Sequence, residues 1–568
     1  MDIDEMQRKL SLWAEQRLLE PEKGLFASRK DLRLYDLYHL LYDPNWLRLA
    51  HDHVARNSGS ITAGCDGINM ARFDKTLGDN LQRLAEELRT QNFRPCPVRR
   101  VNIPKKDGKL RPLGIPSIRD RIVQEALRMV LEPIFEAEFY KYSYGFRPNR
   151  STIDALAMIA ARTNPQNKFY WVIEGDIKSY FDTINHKKLM QLLRRRIKDK
   201  KLQRLIWRFL KAGVMEGKLF KDTEQGTPQG GIISPLLANV YLHELDMFMT
   251  RYAQLPQKER ATRRNRGLGN FFHIRYADDF VVLCNGTREE AEAMRGKLQK
   301  FLAEELKLTL SMEKTKITHI DDGFKFLGYN ISRSVAGNGK KVRKFLIPGE
   351  ARKKLRAAIM LITAPSTCDN SVNAKISALN LHLRGWANHY RYAYNATKVF
   401  RNIDHFAFWQ MAHWLGRKFK CSMPNVMQRF YRKVEGKMTL ANDGFSVMRM
   451  SSISPIPLRN RTFENPYSSD EQEVTRTKEF GVDCVWTGTE RRPGLADIRS
   501  LVLKRDGWLC QRCRISVDYD TVEIHHIRPV KQFRKPTNAN KLSNLQTLCR
   551  TCHKVKTMSM QQMESRMQ

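Results

Sequence analysis

Three carboxylates in this sequence stand where metal-assisted phosphoryl chemistry would use them. Asp176 follows the apolar run FYWVIEG, and Asp278 and Asp279 sit together inside HIRYADDFVVLC. Nucleotidyl transfer employs two divalent ions about 3.5–4 Å apart, one activating the attacking hydroxyl and one stabilising the leaving oxygen. Hard ions such as Mg²⁺ take oxygen ligands, so carboxylates from distant segments have to converge. A lone Asp pair is more often an ordinary turn, because Asp is a common turn residue. The pair becomes informative only if its hairpin lies beside the strand that ends at Asp176.

A second set lies near the C-terminus. Most of the ten Cys are scattered, among them Cys65, Cys96, Cys284, Cys368 and Cys421, but CQRC (Cys510, Cys513) and CRTC (Cys549, Cys552) form two close pairs. Paired CxxC motifs predict a tetrahedral Cys₄ Zn²⁺ site in a reducing compartment, not a disulfide framework. A zinc-ribbon binding module accounts for these Cys. It leaves unexplained VEIHHIRP (522–529), Asn544 in KLSNLQTLC, and His553 beside the second pair.

The elements that must position these groups follow from pattern. Residues 1–60 read as helices, and Val98–Arg119 as a basic hairpin turning at Asp107-Gly108. Helical periodicity resumes over 120–160, broken by YSYGFRPNRS. FYWVIEGDIKSYFDTI reads as a buried strand ending in acidic residues, 186–215 as basic amphipathic helix, and GTPQGGIISP as a loop opening the next helix. Arg251–Asn270 reads as a surface insertion, HIRYADDFVVLC as a hairpin, 288–307 as a helix and FKFLGY as a strand. Residues 345–435 read as helical with aromatics and basic residues interleaved, 451–473 as a polar linker, and a small separate unit starts near Gly481.

Composition bounds the partners. Lys and Arg number 99 against 60 Asp and Glu, a formal charge of +39, which attracts polyanions and makes nucleic acid the expected partner. A hydrophobic fraction of 42% excludes disorder of the whole chain. No apolar window is long enough to span a bilayer, so no membrane partner is expected. The expected location is the bacterial cytoplasm, acting at the nucleoid, with an organellar origin left open.

YADDFVV resembles the active-site box of reverse transcriptases, and the resemblance continues in family order through IPKKDGKLRPLGIP (103–116), YSYGFRPNRS (142–151), DIKSYFDTI (176–184), GTPQGGIISPLLANVYL (226–242), LSMEKTKI (310–317) and FKFLGY (324–329). It implies Asp176, Asp278 and Asp279 as Mg²⁺ ligands, with a carbonyl from Ile177. Phe181 matches the steric gate that selects dNTPs by colliding with a ribose 2′-OH. Lys105 and Arg111 match triphosphate-gripping residues, although Lys106 and Lys109 compete for that assignment. Gln229 and Gly230 match the loop beside dNTP and template, and Lys314 a lysine near primer or triphosphate.

The stretch GWANHYR…WLGRK, with Trp386, His389, Tyr390, Tyr392, Tyr394, Phe400, Phe406 and Trp414 among Arg384, Arg391, Lys398 and Arg401, resembles the thumb or maturase X domain of group II intron-encoded proteins. About half of these rings are expected in a core and the rest on RNA. The C-terminal constellation resembles the HNH, or ββα-metal, nucleases. By that match His525 and His553 bind a catalytic divalent metal (Mg²⁺), His526 is the general base, Asn544 orients it, and Glu523 assists.

Together these resemblances imply an α+β multidomain chain. Residues 1–335 would be right-hand polymerase fingers and palm with an antiparallel sheet and a helical extension over 1–60. Residues 336–435 would be the helical thumb/X domain, 436–480 a basic DNA-binding linker, and 481–568 a small HNH domain with Cys₄ zinc. The implied partners are group II intron RNA, target DNA and dNTPs, with monomer or homodimer left open. Two other uses of these parts stay open at this point: a splicing cofactor with dispensable enzymes, and a reverse transcriptase of a defence system.

Overall fold

The computed structural model describes residues 2–19, 34–104, 110–216, 219–221, 226, 230–335, 337, 339, 341–434 and 436–468, and in the C-terminal part 502, 505–506, 509–512, 522–527, 544–549 and 552. The chain forms two compact units, residues 1–469 and 470–568. The expected domain start near Gly481 lies outside the described residues.

In the first unit, strands β1 (Val98–Pro104) and β2 (Leu110–Ile115) make the expected hairpin, with Val101 opposite Leu113. Strand β3 (Trp171–Gly175) comes next, followed by β4 (Val214–Glu216) and β5 (Leu219–Lys221), which extend the first hairpin in the order β2-β1-β4-β5. Strands β6 (Phe271–Tyr276), β7 (Asp279–Cys284) and β8 (Lys316–His319) join β3 in a central sheet ordered β6-β7-β3-β8, antiparallel at every pairing. Its residues alternate between two cores. Ile173, Phe271, Phe280, Val282 and Cys284 pack with the helices Ile118–Glu136 and Ser234–Ala253. Val172, Phe272, Ile274, Val281 and Leu283 pack with the helix Thr152–Arg162 and the helical region further along the chain. Burial on both faces explains why these strands read as continuous apolar runs.

FYWVIEGDIKSYFDTI is not one strand. It ends as a strand at Gly175, and Ser179 at φ 48° turns the chain into the short helix Tyr180–Thr183. FKFLGY is also divided. Strand β9 (Phe324–Phe326) turns at Leu327 (φ 45°) and Gly328 (φ 84°) into β10 (Tyr329–Val335), which pairs with β11 (Lys341–Leu346). Two positive φ angles in a two-residue loop make a type I′ hairpin, whose twist suits the flanking strands.

The helices Gly349–Ile362, Val372–Tyr390, Ala396–Phe419 and Met423–Phe430 form the expected helical region. Of its rings, Tyr390, Phe400 and Trp414 are core, whereas Tyr394 is exposed. Helix ends earlier than expected, because β12 (Tyr431–Val434), β13 (Lys437–Asn442) and β14 (Phe445–Ser446) form a small antiparallel sheet. Asp443 and Gly444, at φ 45° and 80°, make its second turn. The stretch after it is no free linker over its described length. Residues 454–467 bond one by one to the body of the first unit, through Arg391, Asp154, Ser11, Glu15 and Glu132. No described helix is long and apolar enough to cross a membrane.

In the second unit, β15 (Val522–His526) pairs antiparallel with β16 (Leu545–Cys549), placing His525 opposite Gln546 and Val522 opposite Cys549.

The helix Ser234–Ala253 and strand β6 are joined by a buried ion pair. Arg275 donates to Asp246 through Nε (2.9 and 3.1 Å) and Nη2 (2.5 Å), His273 Nε2 lies 2.9 Å from the same carboxylate, and all three side chains are inaccessible to solvent. Burial alone would raise the Asp246 carboxyl. The Arg275 charge and the hydrogen bonds from His273 and Arg275 outweigh it and hold the group well below the usual carboxylate range. We expect Asp246→Ala to cost about 3–5 kcal/mol, since it strands a buried guanidinium; the shift of the first urea unfolding transition measures it. Because the folded carboxyl is depressed, the wild-type contribution is fully present above about pH 4 and declines as pH falls below the unfolded value.

Candidate functional site

The three carboxylates lie at one end of the central sheet, near enough for Asp176 and Asp278 to act on the charge of Asp279. Strand β3 pairs with β7 so that Gly175 faces Phe280. One residue further along that register, Asp176 comes beside Asp279. The close approach depends on Gly175: a Cβ there would lie 2.1 Å from the Phe280 ring. On the other flank of Asp176, Ser311 N donates to Asp176 O (2.8 Å) and Lys178 N to Thr309 O (2.9 Å), bridging Ile177 to Leu310. Neither bond uses the carbonyl of Ile177.

Asp278 lies in the two-residue turn between Tyr276 and Asp279, which close the hairpin opposite one another. The other turn residue, Ala277, has φ 58°, a left-handed conformation that costs a non-glycine residue roughly 1–2 kcal/mol. The buried charges hold it there. Arg275 Nη1 donates to Ala277 O (2.9 Å) and to Asn239 Oδ1 (2.9 Å), and Asn239 Nδ2 donates to Gly145 O (2.8 Å). Gly145 presses on the turn from the other side, where a Cβ would sit 2.3 Å from Ala277 N. The segment containing it is fastened to β6, because Tyr144 N donates to Arg275 O and Arg275 N to Tyr142 O.

The electrostatics of the cluster are those of crowded like charges. Asp279 is pushed up to about 6, by desolvation and by the charges of Asp278 and Asp176, with Lys314 opposing. Its side chain remains accessible to solvent, so the neighbouring carboxylates are the better-supported cause. Lys314, itself mostly exposed, places Nζ 3.4 Å from Asp176 Oδ2.

Phe181 is nearly buried in the helical turn after Asp176, in edge contact with the exposed ring of Phe146 at 6.4 Å. Gly230 (φ 117°) lies against the first hairpin, where a Cβ would meet Gly114 O at 2.3 Å. Gly226 anchors the start of the same loop, donating to Ile184 O (2.8 Å), with its carbonyl 2.6 Å from His186 Nε2. Lys105 and Gln229 lie outside the described residues. Arg111 is placed in β2 by its backbone, and its side chain lies outside them.

Sequence reasoning brought out the acids but missed Asp246, Arg275, Asn239 and Gly145. The signal for the first two was a charge inside an apolar run: Arg275 within FFHIRY and Asp246 within LLANVYLHELDMF. Gly145 was quoted within a motif without a role.

In the second unit, Asn544 immediately precedes β16, and its carbonyl accepts from Ile527 N (2.7 Å), clasping the end of the two-stranded hairpin beside His526. His525 and Asn544 are buried. Cys510 lies beside the second strand, because its neighbour Gln511 donates from N to Thr547 O (2.9 Å). Cys510 is buried and packs with Leu548, Ile524 and Cys552. His553 and Cys513 lie outside the described residues, as do the side chains of His526 and Cys549. Among the described residues, neither here nor at Asp176, Asp278 and Asp279 do three or more His, Cys, Asp or Glu side chains already stand in a ligand geometry for a metal ion.

Three stretches of the chain match known protein families. Residues 103–331 match the reverse transcriptase (RNA-dependent DNA polymerase) family, 352–433 the group II intron maturase-specific domain, and 510–559 the HNH endonuclease family. Protein YkfC of Escherichia coli is 40% identical over 63% of this chain and 96% of its own length. The group II intron-encoded protein LtrA of Lactococcus lactis is 30% identical over 88% of this chain and 90% of its own. A putative COX1/OXI3 intron 2 protein of Saccharomyces cerevisiae is 26% identical over 90% of this chain and 65% of its own. With the matched regions in the order of the two units, and a relative of this identity spanning nearly its whole length, the chain belongs to the group II intron-encoded proteins, joining a reverse transcriptase, a maturase region and an HNH endonuclease in one polypeptide.

Proposed function

We propose that Asp176, Asp278 and Asp279 are the Mg²⁺ ligands of the polymerase, with the Ile177 carbonyl completing the set. The observation that carries this reading is the β3–β7 register, which sets Asp176 beside the Asp278–Asp279 hairpin. The donor set fits hard divalent ions: it is all oxygen, and its crowded charges raise Asp279 in a way that a cation relieves. When bound, such ions lower the pKa of the primer hydroxyl and stabilise the departing pyrophosphate. The chain's own residues do the rest. Lys105 and Arg111 hold the triphosphate, Arg by a bidentate fork and Lys as a point charge. Gln229 and Gly230 border the nascent pair, where glycine lets backbone approach closely. Lys314 offers a further cation beside Asp176. Phe181 lies under the sugar and rejects a 2′-OH by contact.

In the second unit, Cys510, Cys513, Cys549 and Cys552 hold a structural Zn²⁺ that compensates for a small core. His525 and His553 hold the catalytic divalent ion, and His526 takes the proton of the attacking water, as an imidazole titrating near neutrality can. Asn544 fixes the backbone beside it through the Ile527 bond, with Glu523 assisting. Residues 336–435 act as the thumb and X domain, residues 436–480 lie along DNA, and residues 481–568 form the nuclease. Working on its own intron RNA, the protein assists splicing. The ribonucleoprotein then inserts into target DNA, the HNH unit nicks the opposite strand, and the polymerase extends that 3′ end with dNTPs. A nick supplies the primer that such a polymerase requires. The site of action is the genome of a bacterial cell or an organelle.

Three outcomes follow. Asp278→Ala reduces primer extension on an RNA template to below about a thousandth of wild type, while nicking by the ribonucleoprotein persists. Phe181→Val raises incorporation of rNTP relative to dNTP by roughly tenfold or more, measured by single-nucleotide extension. Cys552→Ser lowers bound zinc by one equivalent in elemental analysis and abolishes nicking, with primer extension unchanged.

A further inference from the structure

The described chain after β14 lies across the first unit and touches the segment that supports the polymerase site. Arg391 donates to Ser454 O (3.0 and 3.2 Å), and Ile456 N donates to Arg391 O. Arg461 forks onto Asp154 Oδ1 through Nε (2.9 Å) and Nη2 (2.6 Å). Asp154 is buried, and its other oxygen accepts from Ser151 N (2.8 Å) and Ser151 Oγ (2.6 Å), closing the loop 142–151 at its foot. Phe463 meets Tyr144 edge-on at 6.0 Å and has two guanidinium groups over its ring, Arg150 at 4.8 Å and Arg461 at 5.4 Å. Beyond it, Asn465 donates to Ser11 (2.7 Å) and Glu15 (2.8 Å), and Tyr467 donates to Glu132 Oε2 (2.6 Å).

The loop gripped in this way touches both halves of the polymerase site. Gly145 abuts Ala277 in the carboxylate hairpin, and Phe146 abuts Phe181. Phe146 is itself held at φ 58°, a conformation that an unsupported Phe would leave. Arg147 pins the loop from inside, donating to Glu136 and to the carbonyls of Tyr140 and Ser143. Arg461 and Phe463 pin it from outside.

We propose that Ser454–Tyr467 is a positioning strap for the polymerase, in which Arg461 and Phe463 hold the 142–151 loop against Ala277 and Phe181. Nucleotide selection then depends on residues that follow the polymerase and maturase regions in the chain. The sugar-selection part of this proposal rests on the reading of Phe181 given above.

The test uses the full chain in single-nucleotide extension on an RNA template, with kcat and KM determined for dNTP and rNTP. Arg461→Ala and Phe463→Ala are expected to raise KM for dNTP about tenfold and to narrow the dNTP preference several-fold, since small displacements of positioning groups have large kinetic effects. Arg461→Lys restores most of the loss. Tyr467→Phe removes only the bond to Glu132; it lowers the melting temperature and leaves KM and sugar preference alone. If Phe463→Ala fails to fold, Phe463→Leu keeps the apolar volume and tests the same contact. Arg461→Ala and Phe463→Ala variants that lower the melting temperature while KM and sugar preference stay at wild type would overturn the proposal. Phe181→Val in the same assay separates the two readings. If that variant leaves sugar preference unchanged, the steric-gate reading fails, and KM for dNTP alone decides the strap.

Discussion

The placement of the acidic cluster depends on a charge pair that does no chemistry. Arg275 lies in β6 with its side chain wholly inside the protein, neutralised by Asp246 and bonded to the carbonyl of Ala277. Such a pair is a poor source of net stability, because the desolvation of both ions offsets most of their attraction. Its value is geometric. A guanidinium has donors in fixed directions, and here they are shared among Asp246, Asn239 and the turn carbonyl. The turn is thereby held in a left-handed conformation that Ala277 would not choose, and the side chains of Asp278 and Asp279 leave the hairpin in a set direction. Replacing Arg275 by Lys would keep the charge and lose this division of bonds.

The same economy governs charge across the molecule. A chain carrying +39 repels itself until it meets a polyanion, yet the proposed polymerase site gathers acids at the end of a sheet. The two facts are complementary. RNA, DNA and triphosphate, the proposed partners, are all anions, and a positive charge of this size would draw them in with a strength that falls as salt rises. At the point of reaction, positive side chains alone would bind substrate and product alike. Carboxylates crowded enough to raise Asp279 favour a divalent cation, which would stabilise charge developing on the leaving oxygen. Lys314, 3.4 Å from Asp176, marks where basic surface gives way to that cluster.

What could be read from sequence divides along physical lines. The order of polymerase blocks and the convergence of Asp176 with Asp278 and Asp279 were legible, because strands buried on both faces leave uninterrupted apolar text that ends sharply at the acids. Of the β9–β11 sheet only FKFLGY was read as strand, and the β12–β14 sheet was not read. Their strands are short and basic, and their half-exposed faces mix Lys, Arg and Ser with apolar residues, so neither period stands out. The turn Leu327-Gly328 was read inside a single strand, and Asp443-Gly444 carried a hairpin signal that the reading of a basic linker passed over. The partnership of Arg275 with Asp246 was invisible for a different reason: the two meet only because a helix packs on a strand, and nothing local in either segment names the other. In the second unit the Cys and His pattern was plain in sequence, and the described residues place Cys510, His525, Asn544 and Cys552 but not the full ligand sets.

The segment after β14 shows why composition misleads about connection. Proline and serine without periodicity read as a linker, since such a stretch has no face to bury. Yet a segment without regular structure must satisfy its backbone through water or through side chains one at a time, and here the partners are spread over the first unit from Ser11 to Arg391. Each such bond contributes on the order of 1 kcal/mol net, more where a charge takes part. No single one fixes the segment. Together they equal a sizeable share of a domain's marginal stability, and they can be broken in succession without unfolding the cores beneath. An attachment built in this way is firm enough to steady a loop beside the polymerase site and weak enough at each point to release it, which neither a helix nor a strand in the same place would combine.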